Sequence, residues 1–222
     1  MPRTDYQRDL DRLRQNVVEM GEHVLAQYEQ GLRAVETRDG TLGESVITGD
    51  HEINRRYLGL ESDCIELIAL QQPVAGDLRF IAASFKIITD LERVGDLATN
   101  LGRLAMTLDD PLHPALDFRH IADAAGEMVA DAMTAYETGD ADACREIATR
   151  DDQLDDACEA AGARIVRALI EEIPGEADHE SLIEEATISF VAIRDLERVG
   201  DHAVNICART LYMIENDDEL IY

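Results

Sequence analysis

The chain has 222 residues and a formal net charge of −27, because 47 acidic residues outnumber 20 lysines and arginines. This balance excludes direct binding of nucleic-acid phosphates, which requires a basic surface, and an anionic membrane surface would also repel the chain. Hydrophobic residues make up 45% of the sequence, aromatic residues only 5%, and tryptophan is absent. An apolar content carried by Ala, Leu, Ile and Val favours helices packed on helices, so the predicted fold class is all-α.

The charge pattern also predicts the surroundings of the protein. Lys86 is the only lysine, and an acidic, lysine-poor surface is typical of adaptation to a salty cytoplasm, where the Debye length falls to about 3 Å at 1 M salt. An ordinary acidic cytosolic protein is the alternative. No apolar run reaches the ~18 residues of a membrane span, and the polar N-terminus does not resemble a signal peptide. We therefore expect a cytoplasmic protein without membrane insertion, whose four scattered cysteines are reduced and mostly buried.

Helical periodicity predicts three helices in the first half of the chain. Apolar residues recur at steps of three and four in three stretches, which are Asp5 to Thr37, Thr41 to Gln72 and Gly76 to Leu108. Gly40 is predicted to cap the first helix, and Pro73 separates the second helix from the third.

The second half repeats this pattern after residues 109–115, a segment with two prolines that is the best linker candidate. Superposing the second helix on the fifth places Asp50 on Asp151, and the third helix matches the sixth. The length difference between the repeats falls in the turn Ile173 to Asp178. We therefore predict two tandem, pseudo-symmetric three-helix bundles with six long helices, the first in residues 1–110 and the second in residues 117–222.

The strongest internal signal is a seven-residue motif that occurs twice without change. Asp-Leu-Glu-Arg-Val-Gly-Asp occupies positions 90–96 and returns at 195–201. An exact repeat of this kind indicates one supersecondary unit that is used twice. Within each copy the glutamate and the last aspartate are four residues apart, so they share one helix face with Cβ atoms about 5–6 Å apart.

Further oxygen-bearing side chains stand on the preceding helix of each bundle, at Asp50 and Asn54 and again at Asp151 and Asp155. Clustered oxygen ligands from two neighbouring helices suit hard cations, because a metal ion neutralises carboxylates that otherwise repel one another. Iron, magnesium, manganese and calcium fit such a site better than a metal that prefers thiolates. The candidate metal ligands are Asp50, Glu92, Asp96, Asp151, Asp155, Glu197 and Asp201, with Asn54, Asn100 and Asn205 as weaker candidates.

Three other interpretations of the acidic pairs remain open on the sequence alone. They are a solvated acidic face, interhelical salt bridges with Arg55, Arg56 or Arg150, or helix packing in which Gly95 and Gly200 are the important residues. Ion-pair networks imitate functional clusters, so spacing does not separate these interpretations. There is no P-loop, dinucleotide fingerprint or nucleophile elbow, which leaves no motif that predicts an enzyme.

The segment Gln71-Gln-Pro-Val-Ala-Gly-Asp-Leu-Arg79, followed by Leu-Glu-Arg-Val-Gly-Asp at 91–96 and again at 196–201, resembles the PhoU family. The resemblance covers nearly the whole chain. It implies two three-helix bundles that commonly form a homodimer, and a non-enzymatic regulator that represses phosphate uptake when phosphate is plentiful. The implied partners are the ATPase subunit of the phosphate ABC transporter and a sensor histidine kinase.

The resemblance also implies a cofactor, because some members of the family bind multinuclear iron or zinc clusters through paired acidic motifs on neighbouring helices. Carried over by position, the ligands are Asp50, Glu92 and Asp96 in the first bundle and Asp151, Asp155, Glu197 and Asp201 in the second. Asn54 stands where the family pattern has an acid, which weakens the first site. The alternative function is a metal-dependent, phosphate-handling hydrolase that holds two cations on these carboxylates. The repeats share no histidine or basic phosphate clamp, which favours the non-enzymatic regulator, an adaptor between partner proteins, over the hydrolase.

Overall fold

The computed structural model describes residues 3–108, 110–172 and 179–221, and within these ranges the chain forms long helices and no strand. The helices are α1 (Arg3–Thr37), α2 (Gly40–Gln71), α3 (Ala75–Thr107), α4 (Phe118–Thr138), α5 (Ala141–Glu172) and α6 (His179–Glu215), with a short 3₁₀ helix at Pro114–Leu116. The all-α prediction with six long helices is confirmed. The predicted turn at residues 173–178 lies outside the described residues. No helix in the described ranges is long and apolar enough to cross a membrane.

The boundary between α1 and α2 differs from the predicted one. Arg38 takes a left-handed backbone conformation with φ of 51°, and Asp39 is the N-cap of α2, where its side chain accepts hydrogen bonds from two backbone amides of the first turn. The prediction that Gly40 caps α1 is therefore wrong, because Gly40 is the first residue of α2. A carboxylate that satisfies two otherwise unpaired amides fixes the start of the helix at that point. At the equivalent junction Gly139 is left-handed and ends α4.

The two bundles share one hydrophobic core. Helices α1, α2 and α3 pack together, α4, α5 and α6 pack together, and α1 contacts α4 while α3 contacts α6. The Tyr28 hydroxyl donates to the carbonyl of Ala122, 3.0 Å away on α4. Leu116, directly after the predicted linker, is fully buried in the same core, and the backbone amide of His113 within the linker donates to the hydroxyl of Ser189 on α6. The division into a first bundle of residues 1–110 and a second bundle of residues 117–222 stays a prediction. It describes the sequence repeat, because the two bundles do not have separate cores.

All four cysteines are buried and free, as expected: Cys64, Cys144, Cys158 and Cys207.

Helices α3 and α6 cross at the centre of the molecule. Asp90 contacts His202, with 3.0 Å between Oδ1 and Nδ1, and the amide of Asn100 donates to Asp195 Oδ2 at 3.1 Å. As α3 proceeds from Asp90 to Asn100, its contacts on α6 run backwards, so the two helices are antiparallel. The motif copies at 90–96 and 195–201 consequently lie level with one another on either side of the interface between the bundles. The two motif helices are therefore related by a pseudo-twofold axis at the place where they cross.

Candidate metal site

The glycine in each motif lets an aspartate of the preceding helix approach the motif helix. A Cβ atom placed on Gly95 would lie 3.3 Å from Ile53 and 3.7 Å from Oδ1 of Asp50. One placed on Gly200 would come closest to Leu154 and would lie 3.0 Å from Oδ1 of Asp151. A larger side chain at Gly200 would therefore compete with both Leu154 and the aspartate for this space. The glycines therefore allow close packing of apolar side chains between the helices, and at Gly200 this packing also brings the carboxylate of Asp151 to the motif helix.

The second bundle gathers carboxylates from α5 and α6 into one cluster, made up of Asp151, Asp155, Glu197 and Asp201. Burial raises the pKa of Asp151 to about 6, and repulsion from Asp155 and then Asp201 adds to the effect. Partial burial also raises the pKa of Asp155 and of Glu197, again with a further contribution from the neighbouring carboxylates. Oδ1 of Asp151 is buried and has no hydrogen-bond partner in the described part of the chain. The cluster therefore holds negative charges together without a compensating cation.

The first bundle has a corresponding cluster that is better compensated. Burial raises the pKa of Asp50 and of Glu92, and in both cases the charge of Asp96 adds to the shift. The amide of Asn54 donates to Asp50 Oδ2 at 2.6 Å, which occupies one carboxylate oxygen. Arg93 lies 3.7 Å from the carboxylate of Glu92 and opposes the rise in its pKa. This first cluster consequently has fewer free carboxylate oxygens than the second.

The arginines that the sequence offered as partners for the acidic pairs are engaged elsewhere. Arg55 and Arg56 both contact Glu52 on their own helix. Arg150 contacts Asp131 on α4. Interhelical salt bridges from these three arginines therefore do not account for the two clusters.

The weaker candidates differ in where they lie. Asn54 belongs to the first cluster, whereas the amide of Asn100 is bound to Asp195 at the interface between the bundles. Asn205 is exposed on α6. The structure thus brings Asn54 together with the seven acidic candidates in two clusters, and it uses Asn100 to join the bundles.

The first aspartate of each motif has a role that the sequence did not predict. The Asp195 side chain is only 6% exposed, and it accepts a hydrogen bond from Asn100 and lies 2.9 Å from Arg194. Asp90 contacts His202 from the other repeat. The exact repetition of an aspartate at both positions was a signal, but helix spacing could not reveal partners that lie in the other bundle.

As they stand, the carboxylates do not close around one ion. In the described ranges no set of three His, Cys, Asp or Glu side chains is arranged so that it could hold a metal ion. The donor set of the second cluster nevertheless fits a hard cation, because all of its donors are carboxylate oxygens and one buried oxygen of Asp151 lacks a partner. Mutual repulsion separates carboxylates that a cation attracts, so metal binding requires these side chains to draw together.

Two segments of the chain, residues 17–105 and residues 118–210, match the family model described as the PhoU domain. The chain belongs to the PhoU family. Each matched segment contains one copy of the repeated motif and one carboxylate cluster. The family resemblance drawn from the motifs is thereby confirmed.

PhoU relatives and solved PhoU structures match this chain along nearly its whole length. A protein of Methanothermobacter thermautotrophicus named "Phosphate-specific transport system accessory protein PhoU homolog 1" is 34% identical over 216 residues, which are 96% of this chain and 95% of that protein. A PhoU homolog of Pseudomonas putida is 32% identical over 95% of this chain and 80% of its own length. The crystal structure of PhoU from Pseudomonas aeruginosa has a TM-score of 0.87 at 29% identity, covering 96% of this chain and all 100% of that one. The phosphate transport system regulatory protein PhoU from Streptococcus pneumoniae has a TM-score of 0.86 at 27% identity, over 96% of this chain and 98% of that chain.

Proposed function

We propose that this PhoU protein is a cytoplasmic regulator of phosphate uptake, an accessory of a phosphate-specific transport system that represses transport and the phosphate response when phosphate is plentiful. The observation that carries the proposal is the match of both halves to the PhoU domain. Relatives of nearly the same extent, named as accessory proteins of phosphate-specific transport, support it. The relatives' names give the hydrolase alternative no support.

The proposed mode of action is that of an adaptor and not of an enzyme. Its partners are the ATPase subunit of the phosphate ABC transporter and a sensor histidine kinase, and the chain acts as a homodimer. Six long helices present extended faces for such contacts. The net charge of −27 favours partners with basic surfaces. His202, the histidine beside the second motif, is engaged with Asp90 and contributes to the contact between the bundles.

Affinity capture from cells grown with ample phosphate and from starved cells tests the adaptor. We expect the ATPase subunit of the transporter to be recovered in an amount that changes with the phosphate supply. Deleting the gene should raise phosphate uptake in cells that have ample phosphate. Recovery of the protein without the ATPase in both conditions, together with unchanged uptake after deletion, would contradict the proposed function.

Metal binding is a second part of the proposal. Asp151, Asp155, Glu197 and Asp201 would hold the metal in the second bundle, and Asp50, Glu92 and Asp96 would form a weaker site in the first. A bound iron, zinc or magnesium ion would supply the positive charge that offsets the repulsion among these carboxylates. The buried Asp151 oxygen without a partner and the raised pKa values of Asp151, Asp155 and Glu197 support the stronger site.

Elemental analysis of purified protein tests the metal site. A Glu197→Gln, Asp201→Asn double variant should carry less iron, zinc or magnesium per chain than the wild type. The matched control is Asp142→Asn, Glu146→Gln, which removes two charges at the same spacing from α5 outside the cluster. Equal metal content in all three proteins would assign the repeated acidic pairs to structure or to partner binding.

A further inference from the structure

Each bundle exposes apolar side chains on the two helices that carry its carboxylate cluster. Ile65 is 55% exposed on α2, and Ile68 on α2 and Leu78 on α3 are also exposed. Val74, the N-cap of α3, is 72% exposed. On α5 and α6, Val166 is 44% exposed, with Ile170, Ile183 and Phe190 exposed as well. Single exposed apolar residues are ordinary, but groups of them mark surfaces that bind other proteins.

Two of these exposed positions are equivalent in the two repeats. The alignment that places Asp50 on Asp151 places Ile65 on Val166, and the alignment of the two motif copies places Leu78 on Ile183 and Phe85 on Phe190. We call Ile65, Ile68 and Leu78 the first patch, and Val166, Ile170, Ile183 and Phe190 the second patch. Apolar character and exposure are both kept at Ile65 and Val166 and at Leu78 and Ile183. Phe85 is half-buried, so the second patch is the larger of the two.

The second patch lies across both of its helices. A Cβ atom on Gly162 would lie 3.2 Å from Cε1 of Phe190, so the phenylalanine of α6 lies against α5 at that glycine. Val166 follows Gly162 by one helical turn and Ile170 follows by two, which places them along the same side of α5. Ile183 precedes Phe190 by two turns on α6. The exposed side chains therefore lie along the two helices over about two turns, the length that a helix of a partner can cover.

Acidic residues border both patches. Glu61 precedes Ile65 by one turn on the same side of α2, and Glu159 precedes Val166 by two turns on the same side of α5. A second copy of this chain would bring two acidic borders together, which like-charge repulsion opposes. The complementary occupant is an apolar helix face that is bordered by lysines or arginines.

We propose that the two patches are twin docking sites for basic amphipathic helices, so that a partner with two such helices engages both bundles. The inference rests on the proposed adaptor function and names the surface that the adaptor uses. Arg164 and Arg167 lie beside Val166 and make the border of the second patch less acidic. The first patch therefore binds the basic helix more tightly at low salt, and its affinity falls more steeply as salt rises.

The test uses the full chain and a synthetic helical peptide of leucine and lysine with all its leucines on one face. A control peptide has the same composition in an order that gives no apolar face. Calorimetry should find two peptides per chain for the amphipathic sequence and no saturable binding for the control peptide. An Ile65→Ser, Ile68→Ser variant and a Val166→Ser, Ile170→Ser variant should each keep one site unchanged. At the other site the affinity should fall by about tenfold or more.

Serine leaves the net charge unchanged, so these variants separate apolar contact from general attraction of a basic peptide to an acidic protein. Met106→Ser is the matched control, because Met106 is 52% exposed near the C-terminal end of α3, far along that helix from Leu78. It should retain both sites. Circular dichroism checks that each variant keeps its helices, and single Ile65→Ala and Val166→Ala variants replace any double variant that does not.

Equal binding of both peptides, or two intact sites in the patch variants, would overturn the proposal. A patch variant whose only change is a loss of dimer mass in sedimentation would assign the patches to a second copy of the chain and would overturn it as well. Both results are distinguishable from failure of the adaptor function, which is measured by phosphate uptake and by capture of the transporter ATPase.

Discussion

Asp151 carries a charge that the fold opposes. Its carboxylate lies close to those of Asp155 and Asp201, and burial together with their repulsion raises its pKa from 3.8 to about 6. Between these two pH values the folded chain binds more protons at this site than the unfolded chain does. Stability from this site is therefore greatest below the unfolded pKa and is lost as pH rises through the folded pKa. The site costs free energy at neutral pH unless a cation occupies it, as expected of a position kept for function.

Replacing Asp151 by asparagine should therefore stabilise the metal-free protein. At pH 7, in chelator, the free energy of unfolding should rise by about 1 kcal/mol, a figure already reduced because solvent screens this half-buried group. At pH 4 the difference should largely disappear, since the wild-type carboxyl is then mostly protonated. Urea denaturation at both pH values measures the effect. Asp63→Asn, at an exposed position on α2, is the control and should show no such pH dependence. A variant that is less stable than the wild type at pH 7 would mean that the carboxylate has a stabilising partner.

At the scale of the helices, the spacing between α2 and α3 depends on two glycines. A Cβ atom on Gly43 would lie 2.5 Å from the backbone oxygen of Gly102, and one on Gly102 would lie 2.8 Å from that of Gly43. These contacts involve backbone atoms, which cannot rotate away as a side chain can. The crossing therefore holds α2 close to α3, the approach that also brings Asp50 to the motif at 90–96.

Gly43→Ala should separate these helices and reduce the free energy of unfolding by about 1–3 kcal/mol, because the added methyl overpacks a tight contact. The loss should appear although alanine is the better helix former by about 1 kcal/mol. Gly49→Ala on the same helix is the matched control, since a Cβ atom there meets nothing within 4 Å. That control should be neutral or stabilised by up to about 1 kcal/mol in thermal and urea unfolding. Equal stability of the two variants would show that the glycine contact does not set the helix spacing.

At the scale of the whole molecule, the net charge of −27 acts on stability over the entire surface. Several of the 20 lysines and arginines already form salt bridges between helices, such as Arg119 with Glu29 and Arg145 with Glu215. The remaining acidic excess repels itself in the folded chain more strongly than in the expanded one. Salt screens this repulsion and so stabilises the folded chain. It also weakens the exposed salt bridges, but the stability lost there is smaller, because each exposed salt bridge contributes little.

The melting temperature should therefore rise with sodium chloride, by roughly 5–10 °C between dilute buffer and 1 M, if screening contributes a few kcal/mol. Sodium chloride is preferred to sulfate because sulfate strengthens apolar burial in any protein. Equal concentrations of a neutral sugar provide the control for effects other than ionic screening. A melting temperature that is constant or falls with sodium chloride would contradict adaptation to a salty cytoplasm.

The sequence by itself determined the number of helices, the duplication of the bundle and the pairing of acids along each motif helix. These features follow from apolar and acidic spacings of three and four residues, which are local properties of a helix. Local spacing also placed Asp50 and Asp151 beside the motif helices, because the second and fifth helices each precede a motif helix in the chain. It misplaced Gly40, since the side chain of Asp39 decides where α2 begins.

Only the tertiary structure decided which carboxylates stay uncompensated and how the two bundles meet. The contacts of Asp90 with His202 and of Asn100 with Asp195 join residues 112 and 95 positions apart, respectively. Neither helix period nor repeat alignment predicts such partners, because they depend on the angle and register at which α3 crosses α6. The loss of a hydrogen-bond partner at Asp151 has the same origin, since it depends on which arginines packing leaves within reach of the cluster. Helix periodicity depends on residues that are close in the sequence. The charge state of the site depends on residues that are distant in the sequence and that only the folded core brings together.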